Sequence, residues 1–292
     1  MKIRPATPND IDAVCALLHA GMNSKIALDR WRRLMTYPWL ADKPDLGRVV
    51  DDNGTIRGYV GMVYADRDLV DRGRGDTAER VVNICAWYLA KEARGGGLGH
   101  ALMADATSDP GMSYDIMTSS AKTVSILAKL GYRVLDDTKY VWSRGADGTP
   151  HAAGALQLEA DRVRILPSVS SAERKILEDM APYNVLPILA AADRERHLIL
   201  FTVARKGADV VWYDVLYAGD AHFLGRHAQA LAAKLLPDAR AQLAADARFV
   251  IDPVGGRAEK LPVPRFYKTS RLQAGDVDHL YSELQLLNLK LD

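Results

Sequence analysis

Cysteine is nearly absent from this chain: Cys15 and Cys85 are its two thiols in 292 residues. Two thiols exclude a disulfide framework and a four-thiolate zinc site. Charge of one sign is missing as well. Lys and Arg number 38 against 37 Asp and Glu, a net charge of +1, which removes the broad electrostatic argument for a polyanion or nucleic-acid binder. No apolar run approaches the roughly 18 residues of a membrane-spanning helix. Met1 to Asp10 lacks the apolar core of a signal peptide. What is present is 48% hydrophobic and 26% charged, the composition of an ordinary water-soluble protein. The length suits about two domains. These readings predict a cytoplasmic two-domain protein without nucleic-acid or membrane partners, and no carboxylate pattern points to a metal.

Periodicity and punctuation predict mixed α and β structure. After a short strand at Lys2 to Arg4, Thr7, Pro8 and Asp10 mark a helix start, and Ile11, Val14, Cys15, Leu18 and Met22 follow at helical spacing. A second helix is expected from Ile26 to about Met35. A hairpin turns at Asp52-Asn53-Gly54, between Gly47–Val50 and Ile56–Tyr64. Asp66 to Arg80 reads as an exposed loop, within which Arg72-Gly73-Arg74-Gly75 is better taken as solvated than as a contact for an acidic acceptor. Val81 to Leu89 reads as a strand, Tyr114 to Thr118 as another, and a helix carries Val124, Leu127 and Ala128 up to a capping Gly131. Two strands, Tyr132–Leu135 and Tyr140–Ser143, close this half. Arg144 to Ala153 is the expected linker, dividing the chain into domains at 1–145 and 154–292.

The segment richest in chemistry follows the strand Val81–Leu89. Arg94-Gly95-Gly96-Gly97-Leu98-Gly99-His100 places three consecutive glycines at the start of a helix. Glycine lets backbone N–H groups converge without side-chain obstruction, and a helix N-terminus adds partial positive charge. The result is a pyrophosphate cradle, to which Arg94 adds a charge-assisted contact. A P-loop is excluded because no Lys-Ser/Thr follows the glycines, and a dinucleotide fingerprint fails in register, with His100 or Leu102 where its third glycine belongs.

A third pattern, Arg/Gln-x-x-Gly-x-Gly/Ala, is met by Arg94, Gly97 and Gly99. It resembles the coenzyme A loop of the GNAT N-acetyltransferase superfamily. Residues 1 to about 143 also follow that superfamily's element order, and Leu130-Gly131-Tyr132 resembles its Leu-Gly-Phe ending. The resemblance implies a mixed α/β (α+β) sheet flanked by helices and transfer of an acetyl group from acetyl-CoA to an amine by direct attack. A small-molecule acceptor, such as an amino sugar or amino acid derivative, is the first expectation. A protein lysine or N-terminal amine, and a non-catalytic CoA-binding sensor, are the alternatives. The strand would bulge near Trp87 to Leu89, where backbone groups bind pantetheine. Gly95, Gly96, Leu98 and His100 would join Arg94, Gly97 and Gly99 at the phosphates; for His100 a plain solvated position is as good a reading. Ser120 stands where the family commonly has an asparagine. Trp31 and Tyr37, on the wall formed by the first two helices, are candidate acceptor contacts as readily as core residues.

Catalytic groups are where the sequence departs from the pattern. The thiolate's usual tyrosine position is Leu127, and the position of a glutamate base in some members is Asn83. Asn83 could hold a water but cannot act as a base; Tyr132, Tyr88 and Tyr140 are candidate substitute proton donors, each better read as a packing aromatic. Cys85, in mid-strand, reads as a small buried hydrophobe rather than a nucleophile. His222 and His227, five apart, do not share a helix face.

The second half carries no glycine-rich loop. Ser170–Met180 and Phe223–Leu235 read as helices, His197–Arg205 and Val210–Tyr217 as paired strands, and Phe249–Ile251 as a strand. After Val210–Tyr217 comes Ala218-Gly219-Asp220-Ala221-His222, where Asp220 would repel a pyrophosphate and suits a helix N-cap. The element order resembles a degenerate GNAT-like half shaping the acceptor side of the cleft. A last amphipathic helix is expected from about Asp276 through Leu287, with no function readable from it.

Overall fold

The computed structural model describes residues 1–68, 78–145, 156–192, 194–207 and 209–291. Arg72-Gly73-Arg74-Gly75 and most of the expected linker, 146–153, lie outside the described residues. The chain folds into two compact units. The first holds Met1–Val134 with Arg265–Leu272 and Tyr281–Leu289; the second holds Leu135–Pro264 with Gln273–Leu280 and Lys290–Asp292. Where the sequence suggests a second domain spanning all of 154–292, two C-terminal segments instead pack into the first unit.

In the first unit, strands β1 (Lys2–Pro5), β2 (Arg48–Asp52), β3 (Thr55–Arg67), β4 (Glu79–Leu89) and β5 (Ser113–Ile116) lie side by side in that order. Successive pairs are antiparallel except β4–β5, which is parallel. The tail of a later strand, residues 265–268, adds antiparallel to β5 through Phe266↔Ile116. Helices α1 (Ile11–Gly21) and α2 (Leu28–Thr36) pack on β3. Helices α3 (Leu98–Ala106) and α4 (Val124–Lys129) bury Leu102, Met103, Ala106 and Leu127 against Val60, Met62, Val82 and Ile84. Those sheet positions alternate, as one face of a pleated strand requires. The first turn is held by Asp10, which accepts from the two terminal Arg4 guanidinium nitrogens (2.8 Å each) and from the Thr7 N–H (2.8 Å).

In the second unit, β6 (Arg133–Ser143, its first two residues in the first unit), β7 (Gln157–Glu159), β8 (Leu186–Ala192), β9 (Glu195–Lys206), β10 (Val210–Ala218), β11 (Ala241–Asp246) and β12 (Arg257–Lys268, up to Pro264) form a mixed sheet ordered β12-β6-β11-β10-β9-β8-β7. Helices α5 (Arg162–Ile165), α6 (Ser171–Asp179) and α7 (Ala221–Leu235) complete it, with Phe223, Leu224, Ala228 and Leu231 of α7 in the core.

Several expectations are corrected. The two closing strands of the first half are one continuous β6. Phe249–Ile251 is not a strand; Ala247–Phe249 is a 3-10 turn, and the strands of this region are β11 and β12. The last helix does not run from Asp276. Asp278 Oδ1 accepts from Leu280 N (2.9 Å) and Tyr281 adopts φ +55°, so the chain turns sharply before α8 (Glu283–Leu286). Ser282 caps this short helix, accepting from Leu284 N (3.3 Å).

Candidate active site

The site forms where β4 leaves its neighbours. Parallel pairing with β5 ends at Asn83↔Asp115, although β4 runs on to Leu89. On the other edge the register with β3 slips between Tyr59↔Tyr88 and Gly61↔Cys85. The bulge centres on Ala86, whose φ of +47° is a strained value for a non-glycine residue. A bulge of this kind leaves backbone groups without ladder partners. The gap opens into a cavity of about 170 Å³, whose lining includes Ala86, Trp87, Leu127 and a row of hydroxyls, Thr118, Ser119, Ser120 and Thr123.

Beyond β4, Ala93 and Arg94 lead into the glycine turn. Gly95, Gly96 and Gly97 all have positive φ (+107°, +57° and +77°), and a Cβ on any of them would meet nothing within 4 Å. Those Cβ positions are open space in front of α3, the room a phosphate group needs. Leu98 N closes a turn on Gly95 O (3.2 Å), and Ala101 N bonds back to Gly97 O (2.9 Å). The first turn of α3 carries no acidic residue, so its N-terminal positive end is uncompensated. Arg94 is exposed, its Nε tied to Leu89 O (3.1 Å). Gly99 is where helix meets strand: its Cβ would come within 3.3 Å of Leu89 and 3.8 Å of Trp87. His100 is exposed on the first turn.

The other sequence candidates fall in different places. Trp87 and Ser120 line the cavity, as does Leu127 in the tyrosine's usual position. Tyr132 is buried with Leu102, Leu127 and Phe266 and is not among the cavity residues; burial pushes its hydroxyl well above the usual tyrosine range. Trp31 is buried, and Tyr37 is a core residue whose hydroxyl accepts from Tyr64 N (2.8 Å). Burial likewise raises the Cys85 thiol, so it is no nucleophile at neutral pH. In the second unit, His227 packs against Phe223 (ring centroids 4.6 Å), and Asp220 caps α7 by accepting from Phe223 N (2.6 Å). Among the described residues no group of three His, Cys, Asp or Glu is placed to hold a metal.

Asn83 is fully engaged. Its Nδ2 donates to Asp115 Oδ1 (2.6 Å), and its Oδ1 accepts from Glu283 N (3.1 Å). Glu283 is the residue sequence reasoning missed. Its carboxylate accepts from the Thr118 hydroxyl and from the backbone N–H of Ala86 and Thr118. Burial, with a smaller contribution from Asp115, pushes its carboxyl up to about 8 against the hydrogen bonds that pull it down. No local signal marks it, because its partner Asn83 is 200 residues away in sequence.

The model of the Acetyltransferase (GNAT) family matches residues 15–109, the span from α1 through the glycine turn and α3. That segment is a GNAT domain. Among solved structures, the fold is similar to a GCN5-related N-acetyltransferase from Kribbella flavida, at 16% identity and TM-score 0.54 over 91% of this chain and 70% of that one. It is similar to another from Anabaena variabilis, at 12% identity and TM-score 0.56 over 91% and 72%. A tandem GNAT protein from the clavulanic acid biosynthesis pathway aligns over 91% of this chain and 98% of its own, at 11% identity and TM-score 0.52. Among curated proteins, none matches the sequence significantly. The GNAT domain thus sits in a chain of GNAT-like mixed α/β fold, and no helix among the described residues is long and apolar enough to cross a membrane.

Proposed function

We propose that the first unit binds acetyl-CoA and transfers its acetyl group to the amine of a small molecule, an amino sugar or amino acid derivative being the first choice. The observation that carries this reading is the combination of a bulged strand, an open parallel gap and an acid-free glycine turn on one strand–helix connection. Acetyl-CoA supplies the activated acyl group. The residues fit it: Gly95, Gly96, Gly97, Gly99 and His100 would present N–H groups to the pyrophosphate beside Leu98, with Arg94 as a charged partner. Backbone groups from Trp87 to Leu89 would receive the pantetheine arm.

Amine transfer asks for positioning, donors near the carbonyl oxygen and a path for a proton. The bulge and the hydroxyl row of Thr118, Ser119, Ser120 and Thr123 line the cavity where those needs arise. Trp31 and Tyr37, being core residues, support the acceptor wall rather than touch the acceptor. The second unit is read as a degenerate GNAT-like partner without a coenzyme site, and the cytoplasmic location expected from the sequence belongs to this reading.

Leu127 in the tyrosine's place favours a second reading, a CoA-binding module without turnover. Calorimetric titration of acetyl-CoA into the wild type and Gly97→Trp decides first: micromolar binding lost in the variant supports the site. Thiol release with a panel of amines then separates transferase from sensor, since binding without release favours the sensor. Absence of binding to the wild type removes both.

A further inference from the structure

Glu283, distant in sequence from β4 and β5, is buried behind the lining of the cavity. The residue that shares its hydrogen bond, Thr118, is exposed and lines the cavity. The backbone of Glu283 is held by Asn83, whose amide is itself fixed on Asp115. The carboxylate therefore has a defined position at the bulge, one hydroxyl removed from the space where an acceptor nitrogen would meet the thioester.

We infer that Glu283, working through the Thr118 hydroxyl, accepts the proton of the attacking amine and returns it to the departing thiolate. The step rests on the acetyl-transfer reading and balances without another reactant. The neutral amine's lone pair forms the C–N bond. As an N–H bond of that nitrogen breaks, its proton passes to Thr118 Oγ while the Thr118 proton moves to Glu283. The C–S bond then breaks with its electron pair on sulfur, and the same proton travels back through Thr118 to form the thiol. Glu283 ends ionised, as it began, and the sequence needs no tyrosine at Leu127.

Among the described residues, the titratable groups that face Glu283 include Asp115 on β5 and Cys85 on β4. The buried Arg265 of β12 donates to Met117 O (2.8 Å), one residue from Thr118. A carboxyl that titrates near 8 is close to matched to both proton transfers at neutral pH, as a shuttle requires.

The test measures thiol release from acetyl-CoA with hydroxylamine as the probe acceptor, subtracting the uncatalysed rate, from pH 6.5 to 9.5. Hydroxylamine is small and a far weaker base than an alkylamine, so it is mostly neutral across that window. Expected is a wild-type kcat/KM that rises about thirtyfold across that window with a midpoint near 8. Glu283→Gln and Thr118→Val both abolish that limb and lower kcat about a hundredfold. Glu283→Asp restores part of the rate, and the acetyl-CoA Kd of every variant stays within about twofold of the wild type. Persistence of the pH limb in Glu283→Gln or in Thr118→Val overturns the shuttle. So does a wild type that binds acetyl-CoA yet never exceeds the uncatalysed rate. Failure of the wild type to bind acetyl-CoA at all overturns instead the reading on which the shuttle rests.

Discussion

The two units build the same strand–turn–helix connection and finish it differently. In the first, β4 pairs antiparallel with β3 through a bulge and parallel with β5, then leads by three positive-φ glycines into α3. In the second, β10 pairs antiparallel with β9, slips register between Val215 and Tyr217, runs parallel to β11, and leads into α7. At that helix start stands Asp220, whose carboxylate occupies the N–H of Phe223. The bulge of the second unit is closed by its own chain: Leu216 O accepts from His279 N (2.9 Å), and the His279 ring is buried against Asp246 (2.8 Å) and Phe249. One connection keeps its helix end open to an anion, and the other satisfies it internally. The shared backbone plan thus ends in two different helix starts, one opened by glycines and one capped by a carboxylate.

The comparison can be broken most forcefully at Gly225. A Cβ there would lie 1.7 Å from Ile251 O, a backbone atom with no freedom to retreat. Gly225→Ala is expected to destabilise the second unit by about 3 kcal/mol despite its better helix propensity, measured by urea unfolding. At the corresponding helix of the first unit, Gly99→Ala meets only the Leu89 side chain at 3.3 Å, and a loss under about 1.5 kcal/mol is expected.

Next comes the exchange of turn chemistry. Gly97→Asp gives the first turn the acid of the second and is expected to weaken acetyl-CoA binding about a hundredfold, or roughly 2.7 kcal/mol, by calorimetry. Unchanged affinity would mean that the glycine turn is not the phosphate site.

A third difference lies in proton linkage. The Glu283 carboxyl is raised from 4.5 to about 8. Between those values the folded state holds a proton that the unfolded state has lost, so stability falls as pH rises, by up to about 1.4 kcal/mol per unit, and levels off above 8. Glu283→Gln should remove that slope in pH-dependent unfolding. Asp136 and Asp214 in the second unit are also raised by burial and leave a residual slope of the same sign. Asp10, held down by Arg4, acts oppositely, its contribution being lost as pH drops below the usual carboxylate range.

The smallest effect is expected from Asp220→Ala: about 1 kcal/mol of lost stability from the uncapped helix, with acetyl-CoA affinity untouched. A gain of acetyl-CoA binding in the second unit would show that the cap alone had closed it.

The first unit is largely legible because its signals are local. Asn53-Gly54 makes the hairpin, the glycine run opens α3, and Gly131 (φ +82°) follows α4. The second unit hides its strands behind residues that disfavour them. β8 and β11 are rich in alanine, and β12 contains Pro262 and Pro264, all poor strand formers. Glu283 is illegible for another reason. Its chemistry comes from burial beside β4 and β5, and nothing in the segment Ser282-Glu283-Leu284-Gln285 announces more than a helix start.

The packing of residues 265–272 and 281–289 with the first 134 has a consequence for how the protein is made. On the ribosome, β1 to β5 emerge early, yet β5 waits for Phe266 and the corner beside Asn83 waits for Glu283. The first half to be synthesised is thus among the last to be completed. Pairings spanning so much chain make for slow closure, with the edge of β5 uncovered meanwhile. A fragment ending at residue 145 would carry the glycine turn but neither the strand that covers that edge nor the carboxylate behind Thr118.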